Sequence, residues 1–129
     1  MARFFWICLG GAVGTGARHV VSEWAPRVFG TSFPYGTLAV NVIGSLLIAA
    51  LMYLANETSS LPPTLRLALT TGVLGGFTTY STFSYETLKY LQAGEPGKAA
   101  LNVVLSVLVC LAACFLGWEG ARWLVSLTR

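Results

Sequence analysis

A run of hydroxyl side chains stands inside a long apolar stretch of the chain, in the sequence GGFTTYSTFS from Gly75 to Ser84. Each of its two adjacent glycines weakens a helix by about 1 kcal/mol relative to alanine, and Ser and Thr hydroxyls offer the backbone alternatives to helical hydrogen bonds. A break in a membrane helix is tolerated only where it is buried in protein or faces a cavity. In transporters such breaks present carbonyl oxygens to cations and helix N-termini to anions. The stretch therefore predicts a broken membrane helix with an ion site at the break.

Two aromatic residues of this stretch, Tyr80 and Phe83, are three positions apart and share one face of any helix that restarts after the break. An aromatic ring has a negative face and a positive edge, so ring edges beside hydroxyls suit a small anion. No basic residue lies between Gly75 and Ser84, so a bound anion would not be held too tightly to leave. The alternative is that both rings only pack against their neighbours.

Other apolar segments also carry polar residues, which are expensive in a membrane and face a partner or a water-filled cavity. Asn41, in the sequence LAVNVIGS, either makes an interhelical hydrogen bond or offers an amide donor to an anion in transit. A stripe with a spacing of four residues follows one face of the last apolar segment: Asn102, Ser106, Cys110 and Cys114. A pore wall and a packing seam of small residues would both show this stripe.

The composition is that of a membrane protein. Of the 129 residues, 55% are hydrophobic and 10% are charged, against about 25% charged residues in a typical soluble domain. The net charge of +3 comes from scattered basic residues, which argues against nucleic acid as a partner. Cys8, Cys110 and Cys114 lack metal-ligand spacing with a nearby histidine and are interpreted as packing residues.

Four apolar segments are long enough to cross a bilayer. They cover approximately residues 4–21, 35–55, 65–90 and 99–124. The first could pass for a signal peptide, but Arg18 and His19 stand where its cleavage site would be expected. We therefore interpret the whole chain, residues 1–129, as one all-α domain of four transmembrane helices, the third broken near its middle.

The basic residues show no bias between the two sides of the membrane. With four spans, the eight Lys and Arg residues divide evenly, Arg3, Arg66, Arg122 and Arg129 on one side and Arg18, Arg27, Lys89 and Lys98 on the other. Because an excess of Lys and Arg normally keeps one side cytoplasmic, an even count permits insertion in both orientations and pairing with an inverted copy. The alternative is that one or two charges near the first span decide the orientation alone.

Two glycine pairs have the GxxxG spacing of close-packed membrane helices, Gly10 with Gly14 and Gly72 with Gly76.

One further charge lies just after the hydroxyl run. Glu86 is predicted to play a structural role by pairing one turn on with Lys89 or Tyr90.

The stretch GGFTTYSTFS, with the Tyr85 and Glu86 that follow, closely resembles the third-helix signature of the Fluc-type fluoride channels. The similarity covers essentially the whole chain, including a glycine-rich first span that ends in Arg18, the segments PYGTLAVNVIGS and TTGVLGG, and the four-span length. The resemblance implies an antiparallel, dual-topology homodimer with two fluoride pathways along its interface. It also implies passive fluoride export across the bacterial plasma (inner) membrane, which lowers cytoplasmic fluoride, and strong rejection of chloride.

The resemblance further implies roles for individual residues. A structural sodium ion at the centre of the dimer is expected on the main-chain carbonyls of Gly75 and Thr78. The fluoride pathway is expected to comprise the amide of Asn41, the rings of Tyr80 and Phe83, and a run of hydroxyls, Thr79, Ser81, Thr82 and Ser84. It also includes a polar track on the fourth helix, Asn102, Ser106, Cys110 and Cys114. Arg18 is expected to add positive potential at the pore mouth.

Two departures from the family pattern bear on conduction. Tyr80 stands where the family has its first pore phenylalanine, which keeps the ring edge but adds a hydroxyl. Cys110 and Cys114 stand where serine or threonine is usual, and a thiol is a weaker donor than a hydroxyl. Ser106 is therefore the fourth-helix residue that we assign to the pathway.

Three other classes of protein fit the sequence less well. A small multidrug exporter has a membrane-buried carboxylate, whereas Glu23 and Glu86 both lie towards the ends of their segments. A non-transporting membrane assembly subunit explains the glycine pairs but not the hydroxyl run. An enzyme would need a nucleophile–base pair, a metal cluster or a phosphate loop, and the sequence has no such motif.

Overall fold

The computed structural model describes residues 1–57 and 61–127, and all of the regular structure in those residues is helical. Two long helices open the chain, α1 (Ala2–Phe29) and α2 (Tyr35–Glu57). The third segment is divided into α3 (Pro63–Leu67), a π-helical turn (Ala68–Leu74), α4 (Gly75–Phe77) and α5 (Tyr80–Gln92). Helix α6 (Pro96–Ser126) follows. We refer to residues 63–92 together as the broken helix.

The helix ends follow from local backbone chemistry. Gly30 ends α1 with a φ of 84°, a conformation that favours glycine, and its N–H donates to the carbonyl of Pro26 over 2.9 Å. Gly94, with a φ of 73°, follows α5, and Pro96 opens α6 in the first helical position, where its missing N–H is harmless. Helix α1 therefore extends well beyond the predicted 4–21, while α2 and α6 exceed their predicted segments by only a few residues.

Helices α1, α2 and α6 are each long and apolar enough to cross a membrane, with 28, 23 and 31 residues and mean hydropathies of 1.2, 2.2 and 2.6. No piece of the broken helix meets this criterion, because its longest α-helix, α5, has 13 residues and rises only about 20 Å. Three spanning helices are thus supported directly. The even charge count behind the predicted dual topology includes Arg129, which lies outside the described residues.

The two glycine pairs pack against each other, where α1 meets the first half of the broken helix. A methyl group added to Gly10, Gly14, Gly72 or Gly76 would lie at most 2.8 Å from a backbone oxygen of the opposing segment. Only glycine lets the two backbones approach so closely. The predicted close-packing surfaces are therefore occupied within a single chain.

Helices α2 and α6 form the other main contact of the fold. A methyl group added to Gly117 of α6 would overlap the carbonyl of Leu46 in α2, and the rings of Tyr53 and Trp118 meet edge to face at 4.9 Å. The buried apolar residues of this contact are mostly small. Large apolar side chains such as Phe115, which is 65% exposed, point outwards, as expected of helices surrounded by lipid or by other helices.

Candidate functional site

The broken helix is interrupted at Thr78 and Thr79, which both have extended backbones with ψ values of 161° and 109°. The predicted break is therefore present, although Gly75 and Gly76 themselves remain helical. Gly76 instead permits the close contact with α1. A π-helical turn, which in membrane and soluble proteins often marks a functional site, precedes the break and was not predicted.

Asn41 of α2 hydrogen-bonds to the backbone of Thr79 at the break. Its Nδ2 donates to the carbonyl of Thr79 over 3.1 Å, and its Oδ1 accepts from the N–H of Thr79 over 2.8 Å. In a continuous helix that N–H would donate to the carbonyl of Gly75. Of the two predicted roles, the structure shows the interhelical hydrogen bond, and the second hydrogen on Nδ2 remains as a donor.

Arg18 of α1 also reaches the break. Its Nη1 donates to the carbonyl of Thr78 over 3.3 Å, and the side chain is half-buried. The Thr78 carbonyl has a second lone pair, and the Gly75 carbonyl does not receive the Thr79 N–H. Uncharged oxygens of this kind are suitable ligands for a hard cation. The two carbonyls assigned to sodium are therefore chemically suited to that ion.

The hydroxyl run begins the second half of the broken helix. Thr79 is the N-cap of α5, and its Oγ1 accepts from the N–H of Thr82 over 3.2 Å and lies 2.9 Å from the Thr82 hydroxyl and 3.3 Å from the Ser81 hydroxyl. Ser84 donates to the carbonyl of Tyr80 over 3.0 Å. Thr79 is buried, whereas Ser81, Thr82 and Ser84 are exposed at the positive end of the α5 dipole. Thr79, Ser81 and Thr82 thus cluster at the start of α5, whereas Ser84 bonds to the backbone one turn on.

The rings of Tyr80 and Phe83 lie together, with centroids 5.4 Å apart and planes at 49°. Phe83 is 8% exposed, whereas Tyr80 is 79% exposed. In the part of the chain that the structure describes, the Tyr80 hydroxyl has no hydrogen-bond partner. A large aromatic side chain is therefore presented outwards next to the break.

An open cavity of about 490 Å³ lies between α2, the broken helix and α6. It brings together six residues assigned from the sequence, namely Asn41, Gly75, Thr78, Tyr80, Phe83 and Ser106. Cys110 and the unpredicted Ser45 line it as well. Its lining in the described residues is uncharged, while Arg18 and the hydroxyls of Thr79, Ser81, Thr82 and Ser84 lie outside it.

The polar stripe of α6 does not behave as one surface. Ser106 and Cys110 line the cavity and Cys114 does not. Asn102 is only 1% exposed and donates from Nδ2 to the hydroxyl of Thr87 in α5 over 2.9 Å. The stripe is thus a cavity wall at two positions and an interhelical contact at a third.

Glu86 has a different partner from those predicted. Its Oε1 accepts from the hydroxyl of Thr37 in α2 over 2.7 Å rather than pairing with Lys89 or Tyr90. Its Oε2 is buried and lacks a hydrogen-bond partner among the described residues. Thr37 and Thr87 were missed by the sequence reasoning, although a hydroxyl inside an apolar segment was the available signal.

Three long apolar helices and a fourth segment interrupted beside an uncharged cavity define a multi-pass helical membrane protein. The model of the CrcB-like protein, camphor resistance (CrcB) family matches residues 5–118. The chain therefore belongs to the CrcB-like family.

Relatives of known name are similar over nearly the whole chain. The "fluoride-specific ion channel FluC" of Anaeromyxobacter dehalogenans is 52% identical over 124 residues, which cover 96% of this chain and 98% of the relative. The protein of the same name from Sorangium cellulosum is 51% identical over 126 residues, covering 98% and 99%. That from Geobacter metallireducens is 51% identical over 118 residues, covering 92% and 95%.

Proposed function

We propose that this chain forms a fluoride channel that passively exports fluoride across the bacterial plasma (inner) membrane and is not an enzyme. The observation that carries the proposal is the identity of about half of all residues, across nearly the full length, with proteins named fluoride-specific ion channels. The uncharged cavity beside the broken helix supports it independently, because a conducting site must bind its ion and also release it.

Fluoride is small and strongly hydrated, so its pathway must replace lost water with donors. Donors of three kinds meet near the break: the remaining Nδ2 hydrogen of Asn41, the hydroxyls around Thr79 and Ser106, and the positive ring edges of Tyr80 and Phe83. Arg18, held at the break by Thr78, adds positive potential without lining the cavity. This set stabilises an anion without a strong ion pair.

The channel is an inverted homodimer of four-span chains, with two pathways at its interface. The open cavity and the exposed ring of Tyr80 support this arrangement, since a second copy would cover both. The even charge count supports the inverted orientation. The two halves of the broken helix, before and after Thr78 and Thr79, together cross the membrane as the fourth span.

A sodium ion is held where the two copies meet, by the main-chain carbonyls of Gly75 and Thr78 from each copy. Gly75 and Thr78 both line the cavity, and the Gly75 carbonyl does not accept the Thr79 N–H, which supports this assignment. A bound cation lowers the electrostatic barrier for a nearby anion.

The deciding experiment is anion efflux from liposomes that contain the purified protein, recorded with fluoride and chloride electrodes in parallel. We expect rapid fluoride release without chloride release. Release of both anions would contradict selectivity. If dimeric protein releases neither anion, Tyr80→Phe is the next variant. Fluoride release by that variant would show that the Tyr80 hydroxyl closes the pathway. No release by that variant would reject the channel function.

A small multidrug exporter remains the alternative transporter, and Glu86 is the feature that favours it, because one of its buried oxygens has no partner among the described residues. That class would show proton-coupled uptake of cationic dyes that Glu86→Gln abolishes. We expect no such uptake, because Glu86 does not line the cavity beside the break.

A further inference from the structure

Helix α5 carries Phe83, yet little apolar packing holds this helix in place. Phe83 is its one buried side chain. Three hydrogen-bonded pairs attach the helix and its N-cap to α2 and α6 instead: Asn41–Thr79, Thr37–Glu86 and Asn102–Thr87. Because few apolar contacts determine the rotation and height of α5, these polar bonds carry that role.

The bond from Asn102 continues to the backbone of Phe83. Asn102 Nδ2 donates to Thr87 Oγ1 over 2.9 Å, and Thr87 Oγ1 donates to the carbonyl of Phe83 over 2.8 Å. The direction is determined by chemistry, since the carbonyl can only accept and the one hydroxyl hydrogen is used there, so Asn102 must donate. The three groups form a chain from the interior of α6 to the turn of α5 that bears the Phe83 ring.

The position of Asn102 excludes direct contact with an ion in the cavity. Its side chain is 1% exposed and does not line the cavity, unlike Ser106 one turn further along α6. Within a low-dielectric interior, hydrogen bonds in such a chain strengthen one another, and an unpaired member is costly. The buried Asn102 amide therefore affects the position of α5 and does not touch an ion in the cavity.

We propose that Asn102, acting through the hydroxyl of Thr87, is a positioning residue that sets the Phe83 turn of α5 relative to α6 and the cavity of the pathway. The role in conduction rests on the proposed channel function, whereas the role in positioning does not. Without the chain of hydrogen bonds, the turn of α5 at Phe83 keeps its helical bonds but loses its attachment to α6. Because Tyr80 and Phe83 share α5, both rings then shift together relative to α6 and to Ser106 in the cavity wall.

The test compares Thr87→Val, which keeps the shape and removes the hydroxyl, with Thr87→Ser, which keeps the hydroxyl. Asn102→Ala and the double variant Asn102→Ala/Thr87→Val complete a cycle. Ser126→Ala is the matched control, because the Ser126 hydroxyl also donates to a carbonyl of its own helix, at Trp123, and lies far along α6 from Asn102. Each variant carries 4-fluorophenylalanine at position 83, and its ¹⁹F spectrum is recorded in detergent alongside fluoride efflux from liposomes.

We expect Thr87→Val and Asn102→Ala to shift or split the ¹⁹F signal and to lower efflux about tenfold, the factor that corresponds to one buried hydrogen bond. The double variant should be no worse than the more severe single variant, and Thr87→Ser and Ser126→Ala should match the parent. An unchanged ¹⁹F signal in Thr87→Val would overturn the proposal. If the parent releases no fluoride, the channel function fails, and the ¹⁹F spectra still decide whether Asn102 positions Phe83.

Discussion

The side-chain amide of Asn41 takes the place of a helical peptide group for Thr79. It donates to the Thr79 carbonyl over 3.1 Å and accepts from the Thr79 N–H over 2.8 Å. Helix α2 thereby pairs the N–H that the break leaves without its helical acceptor, and it adds a second donor to the carbonyl of Thr79, the N-cap of α5. The contact also sets the start of α5 beside the cavity, so the stability of the break and the geometry of the site depend on one side chain.

We expect Asn41→Ala to lower the free energy of unfolding by about 1–3 kcal/mol, because it leaves the N–H of the buried Thr79 unpaired. Thermal unfolding in detergent measures the change. Ile43→Ala is the control, since Ile43 lies on the same helix and is 44% exposed. Equal unfolding temperatures for the two variants would show that the amide is not required at the break.

We expect Gly14→Ala to destabilise the fold by about 1–3 kcal/mol or more, because the added methyl group would overlap the backbone carbonyl of Val73. Gly16→Ala is the matched control on the same helix, where a methyl group meets open space and alanine favours the helix. The recovery of folded protein after heating, followed by size-exclusion chromatography, distinguishes them. A Gly14 variant as stable as the Gly16 variant would contradict the close contact between α1 and the broken helix.

We expect Phe83→Ile to lower fluoride efflux at least about tenfold while the dimer still assembles, because isoleucine fills the space but has no positive ring edge. Efflux from liposomes and cross-linking of the dimer are measured on the same sample. The control is Phe115→Ile, since Phe115 is 65% exposed on α6 and does not line the cavity. A Phe83 variant that conducts like the parent removes this ring from the pathway.

We expect fluoride efflux to fall several-fold when the protein is purified and reconstituted with potassium or N-methylglucamine in place of sodium. The proposed ligands are neutral carbonyls of Gly75 and Thr78, so the larger cations fit less well and the local positive charge is lost. Adding sodium back should restore efflux. Equal rates in all three cations, with sodium shown to be absent from the sample, would refute a required sodium ion.

We expect a chain with two extra lysines after Arg3 to insert in one orientation, since orientation follows the Lys and Arg excess near the first span. Such a chain cannot form an inverted pair, and its fluoride efflux should be lost. Co-expression with a chain biased the other way, by lysines placed in the loop after α1, should restore it. Full efflux from either biased chain alone would argue for a parallel dimer or a monomer.

Much of the architecture could be predicted because lipid imposes a simple rule on sequence. Apolar runs of sufficient length marked α1, α2 and α6, and the glycine pairs marked a close backbone contact. The break was predictable because glycines and hydroxyls weaken a helix. Its exact place was not, since the glycines remain helical and the extended residues are Thr78 and Thr79, where Asn41 offers substitute hydrogen bonds.

The partners of the polar side chains could not be read from spacing. Asn102 and Ser106 share a helix face by periodicity, yet one bonds to Thr87 and the other lines the cavity. Glu86 was predicted to pair along its own helix but bonds to Thr37 of α2. Periodicity gives the face of a residue within its helix, whereas the partner depends on which helix lies opposite, and at what height.

The pattern of residue types thus settles that this chain is helical, is membrane-embedded and is interrupted at a polar stretch, because each of these follows from local backbone chemistry and from hydrophobicity. Tertiary packing determines that the glycine pairs contact each other within one chain, that Asn41 hydrogen-bonds to Thr79 at the break, and that Asn102 reaches Phe83 through Thr87. These contacts join residues far apart in sequence, so only the rotation and height of one helix against another can create them.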